Sequence, residues 1–417
     1  MRGLYCLGAV LICGSWLACA DQEAKPELLD DLRSDAGRDA SRDGSADAAR
    51  TDSAVDAAPA SRKLEANDVS VLWPAPKTGA LPAGYLKVFP TASEQGPGIA
   101  SGARVVFEPG FHADVPPHIV ERTVAVLALR VDPCAPRANG ACVPELRLSA
   151  EPFDEAFDDA ATHLIYELSK PDFSAMASEL RALKAASPVP TSGPLRVHPG
   201  LAAAGANSAY WRSWNSFVIK WATAARMTRV TVNSFGLDNW FFRGVEKASG
   251  WSMDDFKIPS LPAANARTQS WLQLAQHENL NDPSGKIDPA PASNFGALLA
   301  ANVNHRDPAF KSALDLLGKF KHPNKLTPAN ADCVSCHLAP QAALFYEARG
   351  ASLTAATAYT PPAGFDASVL VVPELRGNMS NTIMFGWHRD RHTGAFASVA
   401  ERVVFETAET LRAMGEL

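Results

Sequence analysis

Thr123-Val124-Ala125-Val126-Leu127-Ala128-Leu129-Arg130-Val131, followed by Glu145-Leu146-Arg147-Leu148-Ser149, is the stretch that decides the fold. Both runs are short and rich in β-branched and large aliphatic residues, which suit a pleated, half-buried surface, so they read as a pair of strands. Cys134 and Cys142 lie between them. In an exported chain such a close pair is expected as a disulfide across the turn Ala135 to Ala141, pinning the hairpin, with free-thiol chemistry the lesser reading. On the N-terminal side, Val69-Ser70-Val71-Leu72-Trp73, Tyr85-Leu86-Lys87-Val88-Phe89 and Arg104-Val105-Val106-Phe107 carry the same strand signature between Pro and Gly.

On the C-terminal side helical periods enter. Pro171 to Ala186 places Phe173, Met176, Leu180, Leu183 and Ala186 on one face. Ala209 to Met227 does the same with Trp211, Trp214, Phe217, Val218 and Trp221, an aromatic stripe that reads as core rather than as a cofactor cradle. Further strands are expected at Thr228 to Val232, Asn239 to Val245 and Asp255 to Pro259. Residues 67–262 therefore read as an α+β body, a mostly antiparallel sheet with covering helices.

The chain has 417 residues, 47% of them apolar, enough for one or two sizeable cores. A formal charge of −6 gives no basic excess that would draw it to nucleic acid. Residues 1–19 read as a signal region: Met1-Arg2 starts it, Leu4 to Ile12 is apolar, and Ala18-Cys19-Ala20 supplies small residues for processing. Two routes are open. Ala18-Cys19 resembles the end of a bacterial lipoprotein signal, which implies a lipid on Cys19; an ordinary cut after Ala20 would use the A-x-A pattern. Residues 20–66 are dominated by Asp, Ala, Arg, Ser and Gly and lack aromatics, so they are expected as a flexible tether that buries too little to offset its ordering entropy.

After a Pro-, Asn- and Asp-rich linker at 263–304, Asp307-Pro308 opens a helix carrying Phe310, Leu314, Leu317 and Phe320. It leads to Cys333-Val334-Ser335-Cys336-His337. Two thiols separated by two residues can add across two haem vinyl groups, and the adjacent imidazole is then held under the iron. A redox dithiol would expect a strand-to-helix turn within a βαβ unit, whereas Lys325 to Asn330 is a turn-rich loop. A zinc site would need a fourth ligand, and no cysteine outside the motif lies C-terminal of Cys142. The motif resembles the attachment site of c-type cytochromes. That resemblance implies one covalent haem c, thioethers at Cys333 and Cys336, and His337 as an axial ligand.

A helix at Ala339 to Ala348 and another within Ser398 to Glu416 extend the resemblance to residues 305–417, expected as an all-α cytochrome c-like domain. The resemblance also implies a distal ligand from a loop before the last helix. Met384, between Ile383 and Phe385, ranks first, then Met379 and His388, with His392 last. His305 and His322 could support the haem edge, whereas His112, His118, His163, His198 and His277 lack ligand-like spacing and read as surface or satisfied core residues. No catalytic triad, paired-carboxylate site or phosphate loop stands out.

The order of parts, from Cys19 through the Asp/Ala/Arg/Ser linker to Asp132-Pro133-Cys134 and Asp332-Cys333-Val334-Ser335-Cys336-His337, is similar to a group of myxobacterial lipoproteins. The expectation is a mono-haem c-type cytochrome held to a membrane of the cell envelope by a lipid anchor, passing single electrons between redox partner proteins. Two rivals stand beside it. One is a haem enzyme or sensor, although bacterial c-type peroxidases carry two attachment motifs and this chain has one. The other is a binding or structural lipoprotein with a vestigial haem region.

Overall fold

The computed structural model describes residues 63–75, 83–88, 124–137, 141–152, 159–236, 239–247, 253–255, 258, 261, 268–273, 283–300, 303–327, 330–351, 359–368, 384–390 and 394–417. The deciding hairpin forms. Val124–Pro136 (β2) pairs antiparallel with Cys142–Pro152 (β3), Leu129 opposite Leu148 and Arg130 opposite Arg147. Cys134 and Cys142 are disulfide-bonded, their Cα atoms 4.7 Å apart.

Around this pair, the described residues build one antiparallel sheet. Ser70–Leu72 (β1) flanks β2; beyond β3 come Asp159–Glu167 (β4), Met227–Gly236 (β5) and Asn239–Lys247 (β6). Met253–Asp255 (β7) pairs with β6, and Thr268–Gln273 (β8) and Gly285–Asp288 (β9) complete the order β1-β2-β3-β4-β5-β6-β8-β9. Two results were not legible beforehand. β4 falls in a stretch with no strand expectation, and the presumed linker 263–304 supplies β8, β9 and the 3-10 helix Asn294–Leu299. Of the strand expected at Tyr85 to Phe89, Lys87 makes an isolated bridge opposite Ala125 and Phe89 lies outside the described residues, as do Arg104 to Phe107.

Alternation along the strands gives the sheet two unlike faces. On one, Leu127, Leu129, Leu146, Leu164, Tyr166 and Val230 join a close-packed core. Two helices cover it. Lys170–Ala185 is capped by Ser169, whose Oγ accepts from the Asp172 N–H at 3.2 Å, and buries Phe173, Met176, Leu180 and Leu183. Ala209–Trp221 buries Trp211, Trp214, Phe217, Val218 and Trp221, so the aromatic stripe is core as expected. Between these two helices, the short helix Pro199–Ala204 is capped by buried His198, whose Nδ1 accepts from the Leu201 N–H at 3.1 Å.

The C-terminal third lies against the other face and the sheet's β1–β2 edge. It contains the helices Pro308–Phe320, Cys333–Glu347 and Glu401–Ala413. The expectation that this part is all-α needs correction: Phe385–Asp390 (β10) and Gly394–Val399 (β11) form an antiparallel ribbon where a ligand loop was expected. Nor does this part close on itself. Val403 and Val404 pack with Leu72, Ala128 and Leu195, Leu411 enters the main core, and the Trp387 indole N–H donates to the Trp73 carbonyl at 2.8 Å. The Leu64 N–H donates to Glu416 Oε2 at 3.0 Å, tying the last turn to the start of the body. Residues Ala58–Leu417 accordingly form one compact unit.

Candidate functional site

The helix Cys333–Glu347 begins at the Cys-x-x-Cys-His motif itself, earlier than its apolar pattern suggested. Asp332 caps it, Oδ2 accepting from the Ser335 N–H at 2.9 Å. Gln269 of β8 then locks this cap to the sheet: its Nε2 donates to Asp332 Oδ2 at 2.9 Å, and its Oε1 accepts from the Val334 N–H at 2.9 Å. Asp332 and Gln269 are both 1% exposed, so these bonds are shielded from competing water and fix where the first helical turn points.

Positions i, i+3 and i+4 share one helix face, so Cys333, Cys336 and His337 project together. All three line a cavity of about 190 Å³ between this helix and the polar face of the sheet. Neither cysteine is in a disulfide. His337 is buried, its ring centroid 4.2 Å from that of Trp240 and 5.0 Å from that of Phe242, and its Nε2 has no hydrogen-bond partner. Desolvation, with a smaller contribution from His163, pushes its pKa down to about 3. A buried ring nitrogen left unsatisfied costs about 1–3 kcal/mol, and neutral imidazole is the form that binds metal.

The sheet side of the cavity is organised in cross-strand rows. One row runs Ala128, Ser149, His163, Thr231, Gly244. The next runs Arg130, Arg147, Ile165, Arg229. Like charges directly opposite one another are unfavourable unless counter-ions intervene. Glu406 Oε2 accepts from Arg130 Nη2 at 2.6 Å, while Arg147 pairs with Glu145 at 2.7 Å and Asp132 at 3.3 Å. Burial alone would raise the Glu406 carboxyl, but Arg130, Arg402 and Arg147 outweigh it and hold it at about 2. Five arginines against three carboxylates line the cavity, leaving it net positive.

The chemistry of the donors distinguishes the ligands this place could take. Among the described residues no group of three or more His, Cys, Asp or Glu is arranged to chelate a metal ion, so a bare ion finds no cage. A porphyrin brings four equatorial nitrogens of its own and asks the chain only for axial donors, attachment points and cover. The residues fit that demand. A reactive dithiol fits less well, because burial, Asp332 and Cys336 all push the Cys333 thiol up, opposite to the depressed pKa of a redox cysteine.

Met384 is half-buried just before β10, its carbonyl accepting from the Ala400 N–H at 2.8 Å; it does not line the cavity, whereas its neighbour Phe385 does. His388 lies in β10 opposite Phe396. Cys19, Met379 and His392, like His112, His118 and His277, are outside the described residues. His305 stacks on Phe310 at 4.8 Å and His322 meets Tyr359 at 5.3 Å, and neither lines the cavity. His163 is a correction. It lines the cavity floor, a place the sequence reading did not assign it because β4 was not expected. The missed signal was Thr162, Leu164 and Tyr166 alternating with Ala161, His163 and Ile165.

Against known protein families, curated proteins and solved structures, the chain has no match. No helix among the described residues is long and apolar enough to cross a membrane.

Proposed function

We propose that this chain is a mono-haem c-type cytochrome that passes single electrons in the bacterial cell envelope. Cys333 and Cys336 would hold the haem through thioethers, and His337 Nε2 would be its proximal ligand. The observation that carries this reading is the convergence of both thiols and the unpartnered His337 nitrogen on one cavity. Bound there, a haem supplies an Fe(III)/Fe(II) couple. The chain's own part is to orient and to shield. Trp240 and Phe242 wall the His337 ring and exclude water from it, and the arginine row offers cationic partners to the haem's two carboxylates.

The electron donor and acceptor are taken to be other envelope proteins. Lipidation at Cys19 and the tether 20–66 would keep the body near a membrane while letting it reach them. The test is the absorption spectrum of protein matured with a cytochrome c assembly system, oxidised and reduced, followed by denaturation. Haem that remains attached after denaturation and cycles between two oxidation states supports the reading. Absence of attached haem overturns it.

A further inference from the structure

We infer that His163, on β4 of the sheet, is the second axial ligand of the haem iron, so that the iron is held between two histidines from the two walls of the cavity. This rests on the haem reading above and deepens it.

His163 and His337 line the same cavity, one from the sheet and one from the helix. Within its cross-strand row His163 is flanked by Ser149 and Thr231, with Ala128 and Gly244 beyond them. That row therefore presents a single large side chain among small ones. Along that row the imidazole is the one nitrogen donor that lines the cavity across from the motif helix. The chain offers no comparable donor among the described lining residues, since the other cavity-lining groups are arginines, carboxylates, hydroxyls, an amide and apolar side chains, besides the motif's own thiols.

The functional consequence is a closed iron. With strong nitrogen ligands on both sides, neither oxygen nor a substrate coordinates, and two histidines give a lower potential than histidine with methionine. That favours electron transfer over the enzyme or sensor alternatives.

The experiment uses the matured full chain. Covalent attachment, read as haem remaining on the denatured protein, reports on the cytochrome reading by itself. Electron paramagnetic resonance and near-infrared magnetic circular dichroism of the oxidised wild type then identify the axial atoms. Two nitrogens are expected, and a methionine–iron charge-transfer band would overturn the inference while leaving the cytochrome intact. In His163→Ala the attached haem should become high-spin and bind carbon monoxide when reduced at least tenfold faster than wild type, and added imidazole should restore the low-spin spectrum. In His163→Met the low-spin state should persist with a new methionine–iron band and a raised potential. A low-spin spectrum unchanged in His163→Ala, or abolished instead by Met384→Ala, overturns the assignment.

Discussion

The two faces of the sheet are built from the same strands and do opposite things. On β4, Leu164 and Tyr166 point into a close-packed core beneath Trp214 and Phe217, while His163 and Ile165, displaced by one residue, face a cavity walled by arginines and by the motif helix. Because successive side chains leave a strand on opposite sides, one face can be filled for stability while the other is kept open for a ligand. The apolar face needs no special geometry beyond volume and pattern. The polar face does: its arginines sit opposite one another and depend on Glu406, Glu145 and Asp132 to coexist.

That comparison can be broken most directly at the motif. Replacing Cys333 and Cys336 together by serine is expected to abolish covalent haem attachment, measured by haem staining of the denatured protein, while the apolar face still folds and keeps its near-ultraviolet circular dichroism. Loss of the tertiary signal would mean that the two faces are not independent. Next in size is a pair of neighbours on β4. In protein prepared without haem, Leu164→Ala should cost about 2–5 kcal/mol by urea denaturation, since it opens a void in a filled core. His163→Ala, which widens a cavity already present, should cost no more than about 1 kcal/mol.

Acid sharpens the same contrast. His198 is buried among aromatic rings away from the cavity, 5.4 Å from Trp214, and desolvation lowers its pKa from 6.5 to about 4. The unfolded chain therefore binds a proton that the folded chain refuses. Its contribution to stability is fully present above pH 6.5 and is lost as the pH falls towards 4, by about 3 kcal/mol for a shift of this size. His198→Asn keeps an acceptor at the cap of the helix Pro199–Ala204 and should flatten that part of the stability profile, which a series of urea titrations between pH 7 and 4 would read. A coupled effect is expected at Gln269. Gln269→Ala strands the Val334 N–H and removes one partner of Asp332, at about 1–3 kcal/mol, and should lower the yield of attached haem by loosening the first turn of the motif helix. Unchanged yield would mean that the clamp serves stability alone.

Much of this could be read from local pattern. The hairpin at Thr123 to Ser149, the disulfide, the aromatic helix, the Asp307-Pro308 start and the last amphipathic helix each depend on residues within one or two turns of one another, and each appears. The common face of Cys333, Cys336 and His337 was legible for the same reason, since they share it as soon as the segment is helical. The C-terminal third was misread because its apolar residues signal burial without saying against what. Val404 and Phe385 pack with Leu72 and Ala128 instead of closing a separate helical domain.

By itself, then, the sequence determined the alternating strands, the covering helices and the Cys-x-x-Cys-His face, all set by periodicity and short-range chemistry. Tertiary structure alone decided that His163 and His337 line one cavity, that Arg130, Arg147 and Arg229 align in one row, and that Gln269 reaches back to hold Asp332. Those groups come from strands whose order and register are chosen by the packing of the whole sheet, and no local window of the chain contains that information.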